Sequence, residues 1–232
     1  MRFDVCAHTY DEHAGPQRFF AERVAQFIGA GPHDLIVELG AGTGTLTRLL
    51  RSKMIFATDA SPKMVEAGRQ AVPNAHWQVS DAFDERIPLA EVQVSSGLLH
   101  WSEDPVSILG RWKNRIHPKG RMVHAIPCEP CLVEWRVLVP ESPVPWRSEA
   151  EWLKIFERAG LRVTRSQSWT HTEVCSSALE MVRGFHRTGV TGRVRVGPSR
   201  LRRALRAYDA KHRVAGGVKA TWAWLAVEAA TI

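Results

Sequence analysis

The chain predicts an α/β fold, a parallel sheet with helices on both faces, from three observations. Short apolar runs of strand length alternate with longer stretches of helical period. A glycine-rich turn follows directly on the first such run. The 232 residues are 44% hydrophobic and 24% charged, enough apolar material for one well-packed core and ordinary for a globular chain. Those proportions exclude disorder, collagen and coiled coil.

Taken in order, the pattern gives a helix over about Gly15 to Ile28, a strand at Leu35–Leu39, a helix from Thr45 to Leu50 and a strand from Met54 to Thr58. A helix from Lys63 to Ala71, strands at His76–Val79 and Val92–Ser95, a helix from Pro105 to Ile116 and a strand from Arg121 to Ile126 follow. The pattern then breaks. Pro127, Pro130, Pro140, Pro143 and Pro145 crowd residues 127–147, so the apolar run Leu132–Val139 reads as an irregular insertion with some helix. A helix from Ser148 to Arg158 stops at Gly160, a residue suited to ending one, and a strand runs from Leu161 to Arg165. Helices from Ser177 to Arg187 and Pro198 to Arg213 precede a last strand, Ala220–Val227. No repeat or low-complexity linker divides the chain, so one domain over 1–232 is expected.

Apolar stretches such as Leu35–Leu39 and Ala223–Val227 fall far short of the roughly 18 residues of a membrane span. Met1 to Tyr10 is too polar for a secretory signal, and a cytoplasmic protein is expected. Cys6, Cys128, Cys131 and Cys175 are too few and too irregular for a disulfide framework, and the close pair Cys128/Cys131 lacks a second pair to complete a metal site. The net charge of +7 is local: Arg183 to Arg213 holds ten Lys/Arg against Asp209 alone. Such a patch fits an anionic partner (nucleic acid, a membrane surface or an acidic protein) or else is a solvated helix face.

The chemistry starts where the first strand ends. Gly40, Ala41, Gly42, Thr43 and Gly44 form a turn without bulk, which a ligand can approach closely. Position 45 is Thr where a dinucleotide fingerprint wants Gly, no Lys follows as in a Walker loop, and Glu38 would repel a pyrophosphate. A cationic or zwitterionic ligand suits it better. Asp59, nineteen residues after Gly40 at the tip of the second strand, can accept from the vicinal hydroxyls of a ribose. Asp81, at the third strand's tip, can accept from an exocyclic amine. Either alone reads as a turn acid; with Glu38 they place three carboxylates at successive carboxyl ends, where open α/β sheets bind ligands.

Glu38 to Gly44 has the Glu-x-Gly-x-Gly-x-Gly form of the class I S-adenosylmethionine-dependent methyltransferases, which the chain resembles. The resemblance implies a Rossmann-like seven-stranded, mostly parallel sheet with one antiparallel strand. It further implies S-adenosyl-L-methionine as cofactor, held by Gln17, Glu38, Gly40, Ala41, Gly42, Gly44, Asp59 with Ala60, Asp81 with Ala82, and Leu98. Ser96 to Trp101 would lie beside the transferred methyl. Tyr10-x-x-x-Ala14-x-x-Gln17 matches the opening of the malonyl-acyl-carrier-protein O-methyltransferases of biotin synthesis, with His8, Thr9, Asp11, Glu12 and His13 around it. Met181 to Val190 looks like another segment of that family, whereas 127–147 matches it poorly.

That resemblance implies transfer of a methyl group to a malonyl carboxylate on acyl carrier protein or CoA. A carboxylic acid of pKa near about 4 arrives ionised, so no general base is required. Arg183, then Arg136 and Arg147, are the candidates to orient it through a two-pronged guanidinium. Tyr10 and Gln17 would sit on an amino-terminal lid over 1–30, with 127–147 and 170–215 on the substrate side. His100 is a candidate acid or base, or a buried His bonded to backbone, and Trp101 a wall of the adenosine pocket. Trp135, Trp146, Trp222 and Trp224 would line an apolar cavity for an acyl chain, although 222 and 224 on one strand more simply bury a sheet face. The basic segment would dock the acidic carrier protein. RNA methylation, and nucleoside binding without turnover, are the alternative readings; an Asn-Pro-Pro-Tyr-like turn or reactive Cys for base chemistry is missing at Ser95 to Trp101.

Overall fold

Strand β1 (Leu35–Leu39) lies inside an open sheet, flanked in parallel by β2 (Met54–Asp59) and β4 (Ala90–Ser96). The structure, a computed structural model, describes residues 4, 7, 9–31, 33–84, 87–189 and 195–232; Cys6 and His8 of the opening, Val190 and Arg193 lie outside the described residues. Strand β3 (His76–Val79) adds beside β2, and β5 (Ile116–Pro127) beside β4. Strand β8 (Gly217–Thr231) then runs antiparallel between β5 and β6 (Leu161–Cys175), giving the order β3-β2-β1-β4-β5-β8-β6. The short β7 (Arg213–Val214) pairs with β8 and makes eight strands where seven are expected.

Helix α1 (Tyr10–His13) precedes α2 (Gly15–Ile28), whose Phe20, Val24 and Phe27 pack on one sheet face with Ile36, Val94 and Val123. The other face is covered by α4 (Pro105–Lys113) and α6 (Glu149–Arg158), which bring Leu109, Trp112, Trp152 and Phe156 onto Val37, Leu39 and Met122. Alternation along β1 and β5 sends successive side chains to opposite layers, as the pleat requires. The helix starts are chemically explicit. Ser61 accepts from the Met64 amide at the head of α3 (Pro62–Ala71), Asp104 from Ser107 at the head of α4, and Ser148 with Glu151 forms a capping box at α6.

Several sequence expectations need correction. Thr45 to Leu50 is not an α-helix; only Thr47–Leu49 turns, as a 3-10 segment. Helix α4 stops at Lys113 rather than 116, and Ile116 to Gly120, despite Pro118, belongs to β5. Strand β6 runs ten residues past Arg165, and β8 extends past both expected ends. The insertion holds one short helix, α5 (Val133–Arg136), and is tied to β8: Leu132 N–H donates to Thr221 O (2.6 Å) and Cys128 N–H to Ala223 O (3.0 Å). Helices α7 (Ala178–Arg187) and α8 (Pro198–Lys211) complete that layer, joined where Asp209 accepts the Ala178 amide at 2.7 Å.

Gly68 lies inside α3 where a Cβ would fall 2.2 Å from Trp77 Cη2. Alanine favours a helix by about 1 kcal/mol over glycine, but overpacking typically costs about 1–3 kcal/mol. Gly68→Ala is therefore expected to lower stability by about 1–2 kcal/mol in urea denaturation, and Trp77→Phe in the same chain to recover part of the loss. A gain from Gly68→Ala alone would show that the ring moves aside without cost.

Candidate functional site

The carboxyl ends of β1, β4 and β5 open onto a cavity of about 490 Å³, through Glu38, Ser96 and Pro127. Glu38 closes β1 and lines it, followed by Gly40, Ala41, Gly42 and Thr43. Gly42 has φ +57°, and a Cβ built there would meet nothing within 4 Å, so the turn needs glycine for its backbone and leaves open space beside it. The turn is held from behind: Asp59 Oδ2 accepts the Gly42 amide and Oδ1 the Ser61 amide, each at 2.9 Å.

The amino-terminal segment lies over this turn. Thr43 Oγ1 donates to Asp11 Oδ1 at 2.5 Å, Arg48 pairs with Asp11 at 3.5 Å, and Ser61 Oγ donates to Asp4 Oδ1 at 2.5 Å. Tyr10 and Gln17 both line the cavity. Burial, with the charges of Asp59 and Asp11 adding to it, holds the Tyr10 hydroxyl well above the usual phenol range.

Glu38 is 2% exposed, and burial pushes its carboxyl up to about 8; the Thr47 hydroxyl works against this and the Asp59 charge with it. Its Oε2 has no hydrogen-bond partner. Asp59 is likewise raised, first by burial, against the two amides it accepts. Across the cavity His100, on the 3-10 segment after β4, is depressed to about 3 by burial, and its Nδ1 lacks a partner. It is neutral at physiological pH.

The expected residues thus divide. Tyr10, Gln17, Glu38, Gly40, Ala41, Gly42 and His100 meet on one cavity, with Ser96, Gly97 and Trp101. Asp59, Ala60, Asp81, Ala82, Gly44 and Leu98 are not part of its wall. Gly44 packs on Val72 and Trp77, Leu98 packs against Gly40, and Asp81 Oδ1 accepts the Phe83 amide at 2.9 Å.

Arg183 does not line the cavity. Its half-exposed side chain pairs with Glu180 one turn back on α7, and its neighbours Val182, Phe185 and His186 line the cavity instead. Arg136 does line it, but as a bonded group: it pairs with both oxygens of Glu129, donates to Cys131 O at 3.0 Å and lies over the Trp146 ring at 4.6 Å. Arg147 stacks on Trp152 at 4.9 Å, outside the wall.

Sequence reasoning missed Arg195 and Glu141, which line the cavity, and Glu134, which fixes the insertion by accepting from the Thr221 amide and hydroxyl. Glu134 had a signal, a lone acid inside the apolar run Leu132–Val139. Arg195 had none beyond its place in the basic segment. Among the described residues no group of three or more His, Cys, Asp or Glu could hold a metal ion, and no helix is long and apolar enough to cross a membrane.

Residues 37–124 match the family described as Methyltransferase domain. The chain is 28% identical over 227 residues to the biotin biosynthesis bifunctional protein BioCD of Bordetella avium, an alignment covering 90% of this chain and 48% of that protein. It is 30% identical over 129 residues to a malonyl-[acyl-carrier protein] O-methyltransferase of Neorickettsia risticii, covering 53% of this chain and 49% of the relative. The chain thus spans about half the length of these curated relatives. Among solved structures, the YcgJ protein of Bacillus subtilis superposes with a TM-score of 0.68 at 14% identity, covering 92% of this chain and 98% of that one, and shares the fold.

The folded-state value of about 8 for Glu38 lies above the 4.5 of a solvated glutamate, so between these values the native chain holds a proton that the unfolded chain has lost. Stability contributed this way is fully present below the unfolded value and falls as pH rises, by at most about 1.4 kcal/mol per unit, until the folded value is passed. Glu38→Gln is expected to flatten the loss seen between pH 5.5 and pH 8 in urea denaturation, by about 1–3 kcal/mol over that window. Equal slopes for the two proteins would assign the dependence elsewhere.

Proposed function

We propose that this chain, which carries a methyltransferase domain over residues 37–124, is an S-adenosyl-L-methionine-dependent O-methyltransferase whose acceptor is the carboxylate of an acyl thioester. The observation that carries this reading is the buried carboxyl of Glu38, whose Oε2 lacks a partner, beside a glycine turn with open space at Gly42. A bound cation would favour the ionised form of this carboxyl, which burial alone keeps protonated near neutral pH. Glu38, the backbone of Gly40 to Gly42 and Gln17 would hold the amino-acid portion of the cofactor, and Asp59 with Ala60, Asp81 with Ala82, and Leu98 the nucleoside. When bound, S-adenosyl-L-methionine supplies a methyl group on a positively charged sulfur.

The remaining work falls to the chain's own groups. An acyl carboxylate enters ionised, so the chain has to orient it and exclude water rather than remove a proton. Arg195, which lines the cavity from the segment before α8, is placed better for the orienting role than Arg183, which pairs with Glu180 on the exposed side of α7. Tyr10 and the segment bound to Thr43 and Ser61 cover the glycine turn as a lid. His100, neutral at physiological pH, can accept a hydrogen bond at the cavity without bringing charge there.

The acceptor in the relatives' names is a malonyl group on acyl carrier protein, and two features support a carrier-borne thioester here. The opening Tyr10 to Gln17 is placed at the cavity, and α8 presents Arg202, Arg203 and Arg206 to solvent while its Leu201 lines the cavity. An acidic carrier protein would be steered by that face toward the same opening. A labelled-methyl transfer assay comparing malonyl carrier protein, malonyl-CoA and RNA tests the reading. Label released as methanol by base marks an ester; label retained on RNA alone would overturn it.

Two further outcomes are expected. Reversing Arg202, Arg203 and Arg206 to Glu raises KM for a carrier-bound substrate roughly tenfold, with a CoA thioester unaffected; equal loss on both substrates would discard the docking face. Asp59→Ala weakens S-adenosyl-L-methionine binding by about 1–3 kcal/mol, through lost ribose contacts and an untethered Gly42 amide. Calorimetry on the folded variant reads it, and unchanged affinity removes Asp59 from the site.

A further inference from the structure

The cavity has two chemically different ends. At the glycine turn it is polar, with Glu38, Tyr10, Gln17 and His100. Beyond Gly97 its wall is apolar, formed by Trp135, Trp146, Trp222, Trp224, Val139 and Phe185. The charged groups of the wall there are already committed: Arg136 to Glu129, and Glu141 to Arg200 of α8. Arg195 lines the cavity with an exposed side chain.

The indoles are braced, so they cannot fold inward to fill the space. Trp224 stacks on Phe20 with centroids 4.8 Å apart and planes 11° from parallel, and it lies against Gly97, where a Cβ would stand 2.7 Å from its Cη2. The Trp222 Nε1–H donates to Glu173 at 3.0 Å, and its ring meets Phe185 edge-on at 5.8 Å. Trp146 is held under the Arg136 guanidinium, and Trp135 packs near Tyr208 at 5.9 Å. Rigid aromatic walls around an unfilled volume favour a ligand that brings apolar surface of its own, most of all a flat ring that can stack on or meet edge-on these indoles. A malonyl group brings a single methylene, little apolar surface to set against these indoles.

We propose that the apolar end receives an aromatic ring carried by the substrate, so that the methyl-accepting carboxylate is presented on a bulky ring-bearing body. This rests on the reading of the chain as a methyltransferase and narrows the substrate class of the same site. Ring insertion beyond Gly97 would leave the carboxylate near His100 and the glycine turn, since these share one cavity.

The test is calorimetry on the full chain saturated with S-adenosyl-L-homocysteine, using 4-biphenylacetate, decanoate and malonate as probes. 4-Biphenylacetate is expected to bind at least about tenfold more tightly than either of the others. Leu201→Trp, which places a larger side chain in the cavity wall, is expected to weaken 4-biphenylacetate at least about tenfold with affinity for S-adenosyl-L-homocysteine unchanged. If that variant fails to fold, Trp146→Ala in the insertion carries the test, with the same expected loss. Equal affinity for malonate, a preference for decanoate, or variants that leave 4-biphenylacetate unaffected would each overturn the inference. Failure of S-adenosyl-L-homocysteine itself to bind would instead remove the methyltransferase reading on which it rests.

Discussion

One hydrogen bond organises the polar end of the molecule: the Gly42 amide donating to Asp59. It ties the turn after β1 to the end of β2, and the second oxygen of the same carboxylate fixes the Ser61 amide at the head of α3. The turn, two strand ends and a helix start therefore share a single side chain. The amino-terminal segment is fastened to the same pieces, through Thr43 and Ser61. Asp11 is thus bonded to the residue next to Gly42, and Asp4 to Ser61, both of which Asp59 holds. A carboxylate accepting two amides still has lone pairs left, so holding the turn does not exhaust the acceptor capacity of Asp59.

The parts legible in the sequence were those with a local cause. β1 and β3 were bounded correctly, because a short apolar run between polar turns has few other solutions. The turn after β1 was legible because Gly40, Gly42 and Gly44 all stand at positive φ, which glycine adopts without steric cost. The rest depended on what lies across the sheet. β6 was read too short because Thr164 to Thr172 holds mostly polar residues, and its regularity comes from pairing along nearly all of β8. Thr45 to Leu50 has helical composition, yet the turn that precedes it permits only one 3-10 turn. Arg183 was placed by its position in a motif, but a helix face is decided by packing. Met181, Val182 and Phe185 take the inner side of α7 and leave Arg183 with Glu180 outside.

Buried polar atoms without partners occur both on the cavity wall and elsewhere in the fold, at His33, Ser80, Gln93 and Trp152 among others. Gln17 Oε1, Glu38 Oε2, His100 Nδ1 and the indole nitrogens of Trp146 and Trp224 all belong to residues lining the cavity. Each unsatisfied group of this kind costs about 1–3 kcal/mol, and the fold carries the cost in a chain with two large apolar layers to offset it. The buried His124, by contrast, is partnered by Ser95 at 2.8 Å and enclosed by Trp112 and Phe156 on the layer away from the cavity. Its Nε2 is also without a partner, so an unmet atom alone does not mark a site.

What marks the site is the coincidence of unmet polar groups with unfilled volume. At Glu38 the electrostatics then decides the sign of what can enter. An anion there would meet a carboxyl that burial already keeps from ionising, while a cation stabilises the ionised form and draws its pKa down. Binding of a cation near neutral pH must then release a proton from Glu38, and linkage makes the affinity rise with pH until the free-state value of about 8 is passed. The apolar end obeys no such rule, because indole walls respond to shape and hardly to pH. The two ends of one cavity are therefore governed by different physics, charge at Glu38 and shape at the indoles.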